Sequence, residues 1–167
     1  LRFDPAAGGP PSPVRMDRLE RWNDRPEPGI RYYSGEACYR TRFDLTNDCV
    51  LKRAEIDLGV VHKMARVKLN GMDLGTAWTP PCRLDCRGAL KHGTNEIEIT
   101  VVNSWVNRLI GDQHPADMGA RTLRWENGLL GGKPFTAGRH TFCTVDDHQR
   151  ESPLQESGLA GPVRVLL

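Results

Sequence analysis

Two stretches of alternating residues constrain the fold of this 167-residue chain more than any other feature. Residues 65–69 read Ala-Arg-Val-Lys-Leu, and residues 97–101 read Ile-Glu-Ile-Thr-Val. Such period-two alternation is typical of a β-strand with one buried face. Asn70-Gly71 directly follows the first stretch, and this pair favours the tight turn of a hairpin. We therefore predict a hairpin that returns over residues 72–74, and a later strand that carries Asn103 and Trp105 to the end of a sheet.

Other short strands follow from the same pattern. They are predicted at residues 37–45, 54–58, 83–86, near 141–145, and at 161–167. Long helical periodicity is absent from the sequence, and Pro115 limits the short helical turn that residues 112–118 could form. Many short strands separated by Gly, Pro and Asn are typical of all-β folds. The predicted fold is an all-β, antiparallel β-sandwich or jelly roll.

The sequence predicts one domain with an extension at its start. Residues 1–13 are rich in Pro, Gly and Ala, which indicates a linker or a flexible arm. Residues 14–167 have the length of a single β-sandwich domain. Residues 112–140 show little periodicity and are predicted to form a long loop within it. Because the chain begins at Leu1 and not at Met, we expect it to be a piece of a longer protein.

Composition excludes several classes of partner. The chain has 23 basic and 21 acidic residues, for a formal net charge of +2, and the basic residues are scattered. This balance argues against nucleic acid and membrane surfaces as partners. The sequence also has no apolar run near the roughly 20 residues that a membrane helix needs.

The five cysteines form an odd set without a Cys-x-x-Cys pair, which argues against a zinc site and a complete disulfide framework. Cys82 and Cys86 share the face of Leu84 if that segment is a strand. Buried, inert thiols are therefore expected there, with one disulfide as the alternative.

The polar, aromatic segment after the strand at 97–101 is the main candidate for a ligand site. Sugar recognition requires a flat aromatic face and planar polar groups that bond to neighbouring hydroxyls. Trp105, Asn107, Arg108 and Asp112 supply this set. In the alternative, Trp105 closes the core, and Arg108 pairs with Asp112 to brace the loop.

Two further aromatic residues are predicted binding residues. Trp78, before Pro80-Pro81, is either a lid over the core or an exposed stacking platform, and the sequence favours the core. Tyr33 either lines the same end of the sheet or packs as an edge residue with a hydrogen-bonded hydroxyl. Asn103 is expected to hold turn backbone through its amide, and Trp125 to anchor the long loop or to contact a ligand.

The sequence offers little support for catalysis or metal binding by this chain. Glycoside hydrolysis usually needs two carboxyl groups about 5–9.5 Å apart, and no spacing identifies such a pair. Asp146, Asp147, His148 and Glu151 could bind calcium through oxygen atoms, but they fit no recognised loop spacing, which favours an ordinary charged turn. We predict no catalytic residue, no bound metal and no cofactor.

Several motifs together resemble a known family. They lie at residues 33–35, 66–75, 78–81, 90–97, 103–112 and 157–163. They resemble the galactose-binding-like, sugar-binding β-sandwich of glycoside hydrolase family 2 and related enzymes. The last two motifs are most similar to the carboxy-terminal domain of family 106 α-L-rhamnosidase-like proteins. Val145 departs from the pattern, because relatives tend to carry an aromatic residue there.

The resemblance implies a function. In such enzymes the catalytic carboxylates lie in a separate barrel domain, so this chain is expected to be a non-catalytic, carbohydrate-binding accessory domain of a larger glycoside hydrolase. Its partners would be an oligosaccharide or polysaccharide and the catalytic domain of the same chain, outside the cell or in the periplasm. A purely structural module that buttresses the catalytic domain is the alternative, and a stand-alone lectin is a third hypothesis.

Overall fold

A computed structural model describes residues 1–46, 53–114 and 148–167. Its strands are β1 (Arg2–Phe3), β2 (Glu36–Leu45), β3 (Glu55–Asp57), β4 (Val60–His62), β5 (Met64–Leu69), β6 (Met72–Ala77), β7 (Arg83–Asp85), β8 (Gly93–Val102), β9 (Gly158–Gly161) and β10 (Arg164–Leu166). The helices are α1 (Pro28–Arg31) and α2 (Val106–Gly111), with 3-10 turns at Pro5–Ala7 and Trp22–Asp24. The predicted strand near 141–145, Trp125 and most of the predicted long loop lie outside the described residues.

The strands form two antiparallel layers. One layer is a five-stranded sheet in the order β1-β2-β8-β5-β6. Opposite it lie a three-stranded sheet, β10-β3-β7, and a two-stranded sheet, β4-β9. Inward residues of both layers belong to one buried apolar cluster. This arrangement confirms the predicted all-β, antiparallel sandwich.

The hairpin at Asn70-Gly71 shows how the alternating pattern becomes structure. Asn70 and Gly71 have φ angles of 50° and 84°, as a two-residue hairpin turn requires. In β5, residues 65, 67 and 69 are buried, and the residues between them are exposed. In β8, residues 97, 99 and 101 are buried in the same way. Both alternating strands were therefore predicted with the correct buried face.

The first thirteen residues differ from the predicted linker or flexible arm. Arg2 and Phe3 form β1, which pairs with Cys38 and Ala37 of β2 at the edge of the five-stranded sheet. The Phe3 side chain is buried. Leu1 donates a hydrogen bond from its amino group to the carbonyl oxygen of Val14 at 2.9 Å. Backbone pairing and a buried ring thus make this segment part of the folded domain.

An aromatic cluster lies where this first segment meets the sandwich. The Trp22 ring packs edge-to-face against Phe3 and Tyr33, with centroids 5.4 and 5.7 Å apart. Its Nε1 donates a 2.6 Å hydrogen bond to Tyr39 Oη, which also accepts from the backbone N–H of Leu159. Burial raises the pKa of Tyr39. The cluster joins β1, β2 and β9 through packing and a satisfied hydroxyl group.

Two elements were placed differently by the sequence. The helix α2 (Val106–Gly111) was not predicted, and it ends before the short helical turn expected at 112–118, of which residues 115–118 lie outside the described residues. The predicted closing strand at 161–167 is shorter, since β10 covers only residues 164–166 and pairs with β3. The strand before it, β9 at residues 158–161, was not predicted and pairs with β4. Among the described residues, no helix is long and apolar enough to cross a membrane.

The thiols should differ in reactivity. Cys82 and Cys86 are free and buried, and Cys38 is free and half-buried. Burial raises the pKa of Cys82, and it raises the pKa of Cys86 to about 11.

Because the thiolate is the reactive form, iodoacetamide at pH 8 should alkylate Cys38 at least about tenfold faster than Cys86. Peptide-resolved mass spectrometry measures these rates. Urea should abolish the difference, and equal rates in the native protein would contradict the prediction.

Candidate functional site

The predicted site segments meet at one end of the five-stranded sheet. Val102, the last residue of β8, lies opposite Glu36 of β2 and Met64 of β5. Ala77, the last residue of β6, lies opposite Ala65. Residues 33–35, residues 103–112 and Trp78 therefore continue from neighbouring strand ends. We call this edge, marked by Glu36, Val102, Met64 and Ala77, the tryptophan end of the sheet.

Trp78 and Trp105 are the exposed aromatic residues at the tryptophan end. Trp78 is 72% exposed and follows the buried Ala77, so its indole lies outside the core. Trp105 is 58% exposed and immediately precedes α2. The sequence favoured a core position for Trp78, and that expectation was wrong. Both rings are accessible to a ligand on this surface.

The other four predicted binding residues are buried. Tyr33, Asn107, Arg108 and Asp112 each have no more than 2% of their surface exposed. Their side chains support the loop from within, because burial separates them from solvent. The structure brings all six predicted residues to the same end of the sheet but leaves only Trp78 and Trp105 within reach of a ligand from solvent.

The Asn107 side chain fixes the start of α2. Its Nδ2 donates to the carbonyl oxygen of Gln155, and its Oδ1 accepts from the N–H of Gln155, both at 2.7 Å. Ser104 Oγ donates to Gln155 Oε1 at 3.1 Å. The amide thus pairs with backbone in the way that a neighbouring strand would. Trp105, which lies between Ser104 and Asn107, is held on a fixed backbone.

Asn103 ties the same loop to the segment before β2. Its Oδ1 accepts from the Gly35 N–H at 2.9 Å, and its Nδ2 donates to the Tyr33 carbonyl oxygen at 2.8 Å. The predicted structural role of Asn103 is therefore confirmed.

The Tyr33 hydroxyl donates to the Glu36 carbonyl oxygen at 2.6 Å, and burial raises the pKa of Tyr33. Tyr33 is thus a packed residue with a satisfied hydroxyl.

Arg108 and Asp112 form a buried ion pair on α2. Arg108 Nε lies 3.4 Å from Asp112 Oδ1, and both side chains are at most 1% exposed. Within the described part of the chain, none of the three guanidinium nitrogens has a hydrogen-bond partner with good geometry. Burial lowers the pKa of Arg108, and the Asp112 carboxylate opposes that shift. The predicted pairing of these two residues is confirmed, in a setting where an unpaired charge would be costly.

Glycine at position 111 allows α2 to pack closely. A Cβ atom built there would lie 2.6 Å from the Tyr32 Cβ, well inside van der Waals contact. The backbone N–H of Arg108 also donates to Ser34 Oγ at 3.2 Å. The helix is therefore pressed against residues 32–34, which lead into β2.

Sequence reasoning missed Met64 and Val102 as part of the surface. Met64 is 41% exposed and lies opposite Val102 on the outward face of the sheet. The signal was present, because residue 64 has the same parity as the outward Arg66 and Lys68. Met64 and Val102 together form a small apolar patch on the outward face of the sheet.

Two cavities formed by described residues lie away from the tryptophans. One, of about 350 Å³, lies between residues 15–19 and the inward side chains of β2 and β8. The other, of about 400 Å³, is lined by polar residues around Tyr32 and Arg150. Neither cavity is lined by Trp78 or Trp105. Among the described residues, no group of three or more His, Cys, Asp or Glu could hold a metal ion, although Asp146 and Asp147 of the predicted calcium site lie outside that part of the chain.

Comparison with known proteins finds similarity to parts of larger proteins named as glycosidases. No protein-family model matches it. It is 37% identical, over 91% of its own length, to a Formosa agariphila protein named "Putative beta-glucuronidase". A rhamnosidase structure from Novosphingobium sp. PP1Y superposes over 98% of the chain with a TM-score of 0.79 and 37% identity. A Ruminococcus gnavus β-glucuronidase structure matches 60% of this chain, and the match spans 19% of the β-glucuronidase chain. Its TM-score is 0.51 at 24% identity, so the two share the fold.

The coverage of these relatives is unequal. The chain spans only 14% of the Formosa protein and 14% of the Novosphingobium rhamnosidase, although nearly all of the chain is matched. The chain is therefore similar to one small β-sandwich domain of much larger glycosidases.

Proposed function

We propose that this chain is a non-catalytic accessory domain of a larger glycoside hydrolase, and that it binds carbohydrate at the tryptophan end. The similarity to a domain-sized part of a rhamnosidase and of a protein named as a β-glucuronidase supports the first half. The galactose-binding-like, jelly-roll resemblance of the sequence agrees with it. The rest of the larger protein would carry the catalytic domain.

The exposure of Trp78 and Trp105 is the observation that carries the binding proposal. Both indoles lie in solvent at the same end of the sheet. An indole offers a broad apolar face for the C–H side of a pyranose and an N–H group for a hydroxyl. Trp105 is also preorganised, because the bonds of Asn107 and Ser104 to Gln155 fix the backbone on both sides of it. A fixed platform loses little conformational entropy on binding.

A non-catalytic role agrees with the position of the carboxylates. Asp112 is the carboxylate of the predicted site segment, and it is buried against Arg108. A general acid or base must reach the substrate within hydrogen-bond distance. Asp112 cannot do so from its buried position, which supports the proposal that the catalytic carboxylates belong to another domain.

Titration of the chain with sugars tests the binding proposal. We expect tryptophan fluorescence and calorimetry to respond to at least one of the rhamnose-, glucuronate- or galactose-containing glycans. Trp105→Ala should weaken that binding on the order of tenfold, about 1.4 kcal/mol. Met72→Ala is a matched control, because Met72 is an exposed apolar residue in the hairpin, at the opposite end of the sheet. No response to any of these glycans would remove the binding proposal.

A structural role remains the second candidate, and the apolar surface of Met64 and Val102 favours it. Such a surface also fits contact with another domain of the same protein. In that case Met64→Lys should leave the stability of this chain unchanged but lower the stability of the full-length protein. Sugar binding by the isolated chain would decide against a purely structural domain.

A further inference from the structure

We infer that the cavity of about 400 Å³ around Tyr32 and Arg150 binds a sugar unit that carries a negatively charged group, a carboxylate or a sulfate. We call it the arginine cavity, and its lining includes Asn23, Asp24, Arg31, Tyr32, Arg150 and Ser152. The identification of the ligand as a sugar rests on the proposed carbohydrate-binding function. The cavity is a further site, because neither Trp78 nor Trp105 lines it.

Two guanidinium groups line the arginine cavity without a carboxylate partner. Arg31 is the last residue of α1, and Arg150 lies in the segment that leads toward β9. Both side chains are exposed. Within the part of the chain that the structure describes, neither of them forms an ion pair. Their charges and hydrogen-bond donors are therefore available to a ligand.

Asp24, the carboxylate among the described lining residues, is already occupied. Its Oδ2 accepts from Arg21 Nε at 2.8 Å, and its Oδ1 accepts from Asn23 Nδ2 at 3.0 Å. The charge of Asp24 is thus balanced by an arginine that is not part of the lining. Arg31 and Arg150 leave the cavity with an excess of positive charge, which favours an anionic ligand.

Contacts among the lining residues connect the two arginines. The Arg31 guanidinium carbon lies 6.0 Å from the centroid of the Tyr32 ring, at the limit of a cation–π contact. The Tyr32 ring stacks on the His114 ring, with centroids 5.3 Å apart. His114 Nε2 donates to the carbonyl oxygen of Arg150 at 3.0 Å. The backbone of Arg150 is therefore tied to the aromatic pair that supports Arg31.

The size and the chemistry of the cavity suit one charged sugar unit. Its volume of about 400 Å³ lies within the range of roughly 300–1,000 Å³ that is usual for small-molecule sites. Planar guanidinium groups form paired hydrogen bonds with the oxygen atoms of a carboxylate or a sulfate. Ser152 Oγ accepts from the Gln149 N–H at 2.9 Å, which leaves the Ser152 hydroxyl hydrogen for a sugar hydroxyl. Pro153 and Leu154 add apolar surface for the C–H face of a pyranose.

Three sugars that differ only at C6 test the inference. The ¹⁵N-labelled chain is titrated with glucose, glucuronic acid and glucose 6-sulfate, and NMR follows its amide and indole N–H signals. We expect at least one of the two anionic sugars to bind at least about tenfold more tightly than glucose. The amides of residues 31, 32, 150 and 152 should shift, and added salt should weaken the binding by screening the charges. The tighter of the two anionic sugars identifies the preferred group.

Single arginine variants locate the binding. Arg31→Gln and Arg150→Gln should each weaken binding of the anionic sugar by about tenfold, because each removes charge-assisted hydrogen bonds. Arg164→Gln is the matched control, because Arg164 is an exposed arginine of β10 outside the lining and its loss changes the net charge equally. All three positions are exposed, so urea unfolding should give midpoints close to that of the unmodified chain.

The outcomes distinguish this inference from the proposed function. Equal affinities for all three sugars, or equal losses for Arg150→Gln and Arg164→Gln, would overturn the inference. Acetate or inorganic sulfate that binds as tightly as the anionic sugar would also overturn it, because the cavity would then recognise charge alone. The indole N–H signals of Trp78 and Trp105 report on the tryptophan end. If neutral glycans shift those signals but neither anionic sugar shifts the cavity amides, the inference fails and the proposed function stands.

Discussion

Trp22→Ala should lower the free energy of unfolding by about 3–5 kcal/mol. Trp22 is fully buried and lies at the centre of the aromatic cluster. Its removal would leave a large cavity between Phe3 and Tyr33, which pack against its ring. It would also remove the donor that bonds to the buried Tyr39 hydroxyl. Both losses act in the same direction, so the effect is expected at the upper part of the range for single substitutions.

The control for this prediction is the same substitution on the surface. Trp78→Ala removes an indole that is 72% exposed, and it should change the free energy of unfolding by no more than about 0.5 kcal/mol. Trp22→Phe should lie between the two, because it keeps a ring and loses the N–H donor. Urea unfolding followed by circular dichroism measures all three. Similar urea midpoints for Trp22→Ala and Trp78→Ala would contradict the prediction that the buried indole contributes far more to stability than the exposed one.

The aromatic cluster also connects stability with the proposed site. Tyr33 packs against Trp22, and the carbonyl oxygen of Tyr33 accepts the hydrogen bond from Asn103. Loss of the Trp22 ring should therefore loosen the segment that holds the loop before α2. Weaker sugar binding by Trp22→Ala would be an indirect effect of this loosening, since the side chain itself cannot touch a ligand.

The sequence predicted the strands whose burial depends on local pattern. Alternation identified β5 and β8, because β5 has three and β8 has four buried residues at alternate positions. It did not identify β1, which has only two residues and pairs with Ala37 and Cys38, about thirty-five positions away. The Pro- and Gly-rich composition around β1 is typical of a linker. Only its backbone pairing and the buried Phe3 ring distinguish it from one.

The position of the candidate site followed from local patterns, but the exposure of its side chains did not. The strand endings were sufficient to bring Tyr33, Trp78 and residues 103–112 to one end of the sheet. The exposure of individual side chains there depends on distant partners. Asn107 is bonded to Gln155, 48 positions away, and the Arg108 N–H to Ser34, 74 positions away. A loop sequence contains no signal for such partners, so it could not separate the buried Arg108 from the exposed Trp105.

Asp112→Asn should be as damaging as the loss of a large core side chain. It would retain the size of the side chain but leave the Arg108 guanidinium buried without its counter-charge. Removing one member of a buried ion pair typically costs about 3–5 kcal/mol, because the remaining charge cannot be solvated. Arg108→Met should also be destabilising, since it leaves the Asp112 carboxylate buried without the guanidinium.

The double variant Arg108→Met/Asp112→Asn decides whether the ion pair is the cause. It removes both charges, so neither is left uncompensated, and a buried ion pair replaced by neutral groups is often close to neutral in stability. We expect the double variant to be more stable than the sum of the two single losses by about 1–3 kcal/mol. Urea unfolding of the four proteins in this cycle gives that coupling energy. Additive losses would mean that α2 is held by its backbone bonds and by Asn107 alone, and that the charges on its buried face contribute independently.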